Sequence, residues 1–295
     1  MVSAASPARV TVAIPTFNRA SFLPQTIESL LAQGYSDLEI IVVDDGSTDD
    51  TRDVVSAWQV KHPDTIKYYK QNNQGEAAAT NFAWSVATGR YFCLVCSDDP
   101  QPPELLRTSV DFLRRHPAVI VSYPDWWRLD ERGGRIERVV VPEYSLERLV
   151  AQCHCFVGPG ALIDRDAVYD RLPILRDPRF RLVSDYSSWL RLCRLGPFMR
   201  IDAPIAAWRD HAAGGTAINR GRRFAREHVE LLMRYFDDPT LPPEIRQYEY
   251  RAKARIHRVA SACVTRSDPT YWLRYRLAEL LYVPPIDLPA LLRRR

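Results

Sequence analysis

The feature that most constrains this chain is a regular alternation in its first hundred residues. Short β-branched apolar runs trade places with stretches of helical periodicity. "VTVAI" (10–14) reads as a strand that breaks at Pro15, and "FLPQTIESLLAQ" (22–33) as a helix stopped by Gly34. "LEIIVVDD" (38–45) is a second strand, and "STDDTRDVVSAWQV" (47–60) a helix opened by Ser/Thr/Asp capping chemistry. "IKYYK" (66–70), "EAAATNFAWSVATG" (76–89) and "RYFCLVC" (90–96) repeat the cycle. Strands separated by helices of this length need right-handed crossovers, and so a mostly parallel sheet with helices on both faces.

In such a sheet, ligands bind beyond the carboxyl ends of the strands. Three polar clusters sit at those ends: Pro15–Asn18, Asp44–Ser47 and Asp98–Asp99. Adjacent carboxylates at a strand end repel unless a cation offsets them. A hard divalent ion does so, and it can bridge the pair to a diphosphate. The plainer alternative is that Asp99 caps the helix expected behind Pro102 and Pro103. Asp44 and Asp45, in "VVDDGSTDDT", equally suit a turn, or one of them accepts the N–H of a pyrimidine ring. Glycine-rich phosphate cradles of the G-x-x-x-x-G-K-[ST] and G-x-G-x-x-G kinds are missing from the sequence.

The middle of the chain mixes strand-like "AVIVSY", "RIERVVVPE" and "RIDAPIAAW" with a helix-like "DYSSWLRLCRLG" (185–196). From about Gly221 onward the pattern is helical. The expected division is therefore a nucleotide-binding and catalytic domain over 1–218 and a helical C-terminal extension over 219–295. A net charge of +4 on 295 residues argues against a nucleic-acid binder. The six cysteines are scattered and fit reduced thiols in a cytoplasm; Cys93 and Cys96 are read as lying inside a buried strand. "MVSAASPARVTVAIP" has neither the basic nor the apolar region of a signal peptide, and no apolar run reaches membrane-spanning length.

"VTVAIPTFNRASFLPQTIESLLAQGYSDLEIIVVDDGSTDDT", with "NNQGEAAATNFAWSVATGRYFCLVCSDD" behind it, resembles the family 2 glycosyltransferases of GT-A fold over roughly residues 10–215. The resemblance implies an inverting transferase that takes a sugar from a UDP- or dTDP-sugar, with Mg²⁺ or Mn²⁺, to a glycan or lipid-linked acceptor. It places Pro15, Phe17 and Asp45 around the base, Asn18 among the donor-binding residues, Gly75 close to the nucleotide, Asn81 on a helix supporting the site, and Asp98 near ribose and sugar. Asp99 and His211 then serve the metal, and Arg209 the diphosphate. Asp185 becomes the general base, although a helix cap is its other reading. Gly214 and Gly215 suit a flap that orders on the donor. The sequence departs from the family pattern at Cys96 and Ser184, each standing where an acid is usual. Those losses keep a rival open, a degenerate domain that binds nucleotide-sugar or a partner without catalysis. A glycoside hydrolase, which needs two carboxyl groups flanking the scissile bond, fits these motifs less well. The tail "YWLRYRLAELLYVPPIDLPALLRRR" suits either an anionic membrane surface or a helix packed on its own protein.

Overall fold

The computed structural model describes residues 8–211, 221–264 and 268–282. The chain divides into two compact units. One takes Met1–Tyr144 and Cys155–Ile218, the other Ser145–His154 and Asn219–Arg295. The second unit thus draws Ser145–His154 from the middle of the sequence.

The first unit is built on an eight-stranded sheet of order β3-β2-β1-β4-β7-β5-β6, with β8 joined to β5. Strands β1 (Val10–Thr16), β2 (Leu38–Asp44), β3 (Ile66–Lys70) and β4 (Tyr91–Leu94) pair in parallel. Helices α1 (Leu23–Leu31), α2 (Thr51–Lys61) and α3 (Glu76–Val86) connect them, and α4 (Leu105–Arg115) follows β4. Short β7 (Leu162–Asp164) runs antiparallel to β4 and to β5 (Val121–Leu129). Strand β6 (Arg135–Val139) is antiparallel to β5, whereas the long β8 (Phe198–Arg209) is parallel to it. Six strands therefore share one direction. The remaining helices named here are α5 (Leu146–Val150), in the second unit, and α6 (Arg165–Val168) and α7 (Ser184–Leu192), in the first.

The two-residue side-chain period sorts the core. Val10, Val12, Ile14, Ile40, Val42, Tyr91 and Cys93 pack on α1 through Leu23, Ile27 and Leu30 and on α4 through Leu106, Val110 and Leu113. The opposite face takes α3, where Trp84 meets Phe92 edge-on at 4.9 Å. On that opposite face Glu39 is a carboxylate with a fully buried side chain, bonded by Thr11, Lys67 and Thr88. Gly89 lets the chain re-enter the sheet, since a Cβ there would stand 2.6 Å from the Thr11 amide nitrogen.

Several boundaries differ from the sequence reading. Strand β1 continues through Pro15 to Thr16; β4 pairs only as far as Ala13, so Pro15 needs no donor on that side. Strand β4 stops at Leu94, and Cys96 lies beyond it, exposed, while Cys93 is buried. Helix α3 ends at Val86, before Gly89. The helical pattern over 185–196 is realised as Ser184–Leu192. The long pattern from Pro242 splits into Pro243–Arg246 and Glu249–Cys263.

Candidate active site

The acidic loop after β4 is held from two sides, by α1 and by β8. Thr26 Oγ1 on α1 donates to the Ser97 carbonyl at 3.0 Å, and the Gln101 amide donates to Ser29 Oγ at 2.9 Å. Gln101 is the clamp to β8. Its Nε2 donates to the carbonyls of Asp99 (2.9 Å) and Ala207 (3.0 Å), and its Oε1 accepts the Ala207 amide (3.1 Å). Neither aspartate caps the following helix, because α4 opens only after Glu104.

Asp98 and Asp99 have different surroundings. Asp98 is partly exposed; its Oδ2 faces His211 Nε2 at 2.9 Å and Arg19 Nε at 3.4 Å. Asp99 is 2% exposed, and its Oδ1 accepts the Arg209 amide at 2.7 Å. Burial, then the charge of Asp98, push the Asp99 carboxyl up to about 8, against the smaller opposing pull of the Arg209 amide and the Cys96 thiol. Cys96 is exposed by surface area yet set among acids. Desolvation, followed by Asp99, Glu76 and Asp98, raises its thiol well above the ordinary range.

Ligand atoms of Cys96, Asp98 and Asp99 all lie within 4.8 Å of one another. This set fits a hard divalent cation through its carboxylates. Burial, with Asp98 beside it, disfavours the charged form of Asp99, a cost that a divalent cation offsets, whereas a thiol raised well above its ordinary range is a poor ligand. Asp98 thus joins the candidate ligands beside Asp99. His211 stands behind it, with Nε2 already on Asp98 and its ring 4.8 Å from Phe22.

A second cluster joins the ends of β1 and β2. Asn18 adopts φ +53°; its amide donates to Ser47 Oγ, and its Oδ1 accepts the Thr48 amide at 2.8 Å. Phe17 is 44% exposed, and Pro15 is buried in β1. Asp45 accepts from Gln71 Nε2 (2.7 Å), the Gln74 amide (2.8 Å) and the Gly75 amide (2.7 Å). Three of its roughly four acceptor positions therefore order the 71–75 loop. Gly75, at φ +93°, backs onto Arg181.

The third cluster centres on Arg176, which the sequence reading missed. Asn81 brackets its backbone, donating from Nδ2 to the Arg176 carbonyl and accepting the Arg176 amide, both at 2.8 Å. Arg176 is 7% exposed, and its Nη1 donates to Glu76 Oε1 (2.8 Å) and Ser184 Oγ (3.1 Å). Desolvation works against its charge, but Glu76, Asp185 and Cys96 outweigh it and raise its pKa. The guanidinium is thus in electrostatic reach of both Asp185 and the acidic loop. Asp185 is exposed in the first turn of α7, whose cap position is Val183, so it is not the helix cap. Ser184, at the place of a usual acid, is a buried partner of Arg176.

Two predicted donor contacts are otherwise engaged. The Arg209 guanidinium turns to Gln25 Oε1, the Glu131 carbonyl and the Phe22 ring, and only its main chain reaches Asp99. The Asn81 amide is spent on Arg176. Gly214 and Gly215 lie outside the described residues.

An α/β sheet with acids and a basic residue gathered beyond its parallel strands is the GT-A arrangement of nucleotide-sugar transferases. The pattern of Glycosyl transferase family 2 matches residues 11–172, and the chain belongs to that family. It is 27% identical to an uncharacterized glycosyltransferase of Nostoc sp., over 78% of this chain and 75% of that protein. Chondroitin synthase of Escherichia coli is 29% identical over 65% of this chain, which spans only 28% of that longer enzyme. Among solved structures, S. aureus TarS 1-349 in complex with UDP-GlcNAc superposes with TM-score 0.71 at 17% identity, over 94% of this chain and 82% of that one. A Pyrobaculum calidifontis mannosyltransferase in complex with GDP-Man and Mn²⁺ gives 0.62 at 21% identity, over 98% and 79%. At such identities the structural likeness speaks for the fold.

Proposed function

We propose that this protein is an inverting glycosyltransferase that moves a sugar from a UDP- or dTDP-sugar to the hydroxyl of a glycan or lipid-linked acceptor. Residues 1–218 carry the chemistry, residues 219–295 form a helical extension, and the site of action is the cytoplasm. The observation that carries this reading is the pairing of Asp98 and Asp99 beyond the sheet with the buried Arg176, which bonds Ser184 and lies in electrostatic reach of the exposed carboxylate of Asp185. Asp185 takes the proton of the acceptor hydroxyl as its oxygen bonds to the anomeric carbon. The bond from that carbon to the diphosphate breaks, and the nucleoside diphosphate leaves with the electron pair. Phe17, Asn18 and the remaining acceptor position of Asp45 border the base, and Asp98 faces the ribose and sugar. Asp98 and Asp99 would hold Mg²⁺ or Mn²⁺, with His211 orienting Asp98; the cation, when bound, offsets charge on the diphosphate.

The UDP-GlcNAc complex of TarS and the polysaccharide enzymes among the relatives support this donor and acceptor class. A putative teichuronic acid biosynthesis glycosyltransferase of Bacillus subtilis, 27% identical over 63% of this chain and 73% of its own, adds to them. The rival, a binding domain without catalysis, draws on Cys96 and Ser184.

Asp185→Asn separates the two. The variant should fold, bind UDP with Mn²⁺ as the wild type does, and lose about 10²–10⁴-fold in kcat. Near-normal turnover would refute the base. Absence of both transfer and donor hydrolysis in the wild type, across a panel of nucleotide-sugars, would favour the binding domain.

A further inference from the structure

We propose that the outer face of the helix Pro269–Leu281 is a docking surface for an anionic lipid bilayer. Among the described residues of the second unit the helix is one of three long ones, with Arg222–Asp237 and Glu249–Cys263. Its inner face is well used. Tyr275 is buried with Ala225, Ala260 and Val264, and Tyr271 packs on that cluster. Glu279, 4% exposed, holds Arg258 and Arg276, and the Tyr282 ring just beyond stacks on His257 at 5.7 Å.

A surface helix with one face so occupied ordinarily turns polar residues outward. This one does not. Leu273, Leu277 and Leu281 recur at a spacing of four, on the side opposite Tyr275, and are 51%, 55% and 77% exposed. Trp272 is 41% exposed as well. By helical geometry Arg274 and Arg276, both exposed, fall on the two flanks of the leucine row. A row of exposed leucines with guanidinium groups at its edges is the pattern of a helix lying in the headgroup region of a membrane.

Charge chooses the occupant. Residues 219–295 hold sixteen basic and nine acidic residues, a net +7, while residues 1–218 are net −3. The positive charge is concentrated in the unit that carries the leucine row, and basic residues near an anionic leaflet are drawn to it. No described helix is long and apolar enough to cross a membrane, so the contact is peripheral. This inference stands apart from the transferase reading, because it concerns a different unit and a different ligand.

The test is flotation of the full chain with vesicles of pure phosphatidylcholine, and of phosphatidylcholine with about one third phosphatidylglycerol. The wild type should float with the anionic vesicles, stay behind with the neutral ones, and be released by high salt. Leu273→Glu with Leu277→Glu should weaken anionic binding by about tenfold or more, with the unfolding temperature and UDP binding unchanged. Leu277→Asn, a milder change, should lower it in the same direction. Failure to float, or equal flotation of these folded variants, would overturn the proposal. So would either of two other results. In one, the variants halve the mass in light scattering without touching lipid binding, which assigns the face to a second copy. In the other, binding is lost only on removing residues 283–295, which assigns it to that segment.

Discussion

Asp99 offers a quantitative handle on the acidic loop, because its proton competes with the proposed cation. In the free protein its carboxyl is raised from 3.8 to about 8, by burial first and by Asp98 second. A group whose folded pKa is raised binds its proton more tightly folded than unfolded. Its favourable contribution is complete below the unfolded pKa and fades as pH climbs through the folded one. Between pH 6 and 8 the metal-free protein should therefore lose about 1.4 kcal/mol per pH unit from this residue, roughly 2–3 kcal/mol in all. The same proton should depress Mn²⁺ affinity about tenfold for each pH unit below 8, with about one proton released per ion bound. Asp98→Asn removes the second cause, so Asp99 should ionise at lower pH and the slope should move down with it. Thermal melts in EDTA from pH 6 to 9, and calorimetric Mn²⁺ titrations with UDP in buffers of different ionisation enthalpy, measure both effects. A stability and a Mn²⁺ affinity that stay flat from pH 6 to 8, in wild type and variant alike, would refute the argument.

Three further outcomes follow from the same structure. Gln101→Leu removes three bonds and leaves the Asp99 carbonyl and both Ala207 main-chain groups unpaired. At about 1–3 kcal/mol for each buried orphan, it should lower the unfolding temperature and weaken metal-dependent UDP binding, read by melts and calorimetry. Arg176→Met unties Glu76 from Ser184, and steady-state kinetics should show kcat falling by more than donor Kd rises. Glu39 has a carboxyl held down at about 2 by the bonds from Lys67, Thr11 and Thr88, against the desolvation that opposes them. A lowered carboxylate pKa gives stability that is present above pH 4.5 and lost as pH falls towards 2. Glu39→Gln should cost on the order of 3 kcal/mol at pH 7 and flatten that acid limb in denaturant titrations.

The first four strands were legible because each is a compact apolar run between turn residues, and burial on both faces leaves little else for such a run to be. The convergence of Asn18, Asp45 and Asp98–Asp99 followed from the parallel sheet alone. What escaped were residues whose importance comes from a partner far along the chain. Gln101 reads as an ordinary loop amide until β8 arrives beside it. Arg176 is one of many arginines, and nothing in "LPILRDPRF" marks it as the one buried against Ser184. Arg209 shows the opposite case: its neighbourhood suggests a diphosphate ligand, while in this structure its side chain lies on Gln25 and Phe22 and its amide holds Asp99. Pro15 misled as a strand breaker, because its tolerance in β1 depends on where β4 stops pairing.

The bond from the Arg209 amide to Asp99 spans 110 positions, and that from His211 to Asp98 spans 113. During synthesis the acidic loop leaves the ribosome with both carboxylates and neither of these partners. The parallel core of β1 to β4 can assemble at that stage, since its strands and crossovers are already complete. The loop itself must wait for β8, which carries Arg209, and for His211 just beyond it, and long-range pairing of this kind is slow. A ribosome stalled anywhere before residue 211 thus displays a family 2 sheet whose acids lack their full set of partners. On refolding, the nucleotide binding proposed for this loop should return later than the far-ultraviolet signal of the sheet, by the time β8 takes to dock on β5.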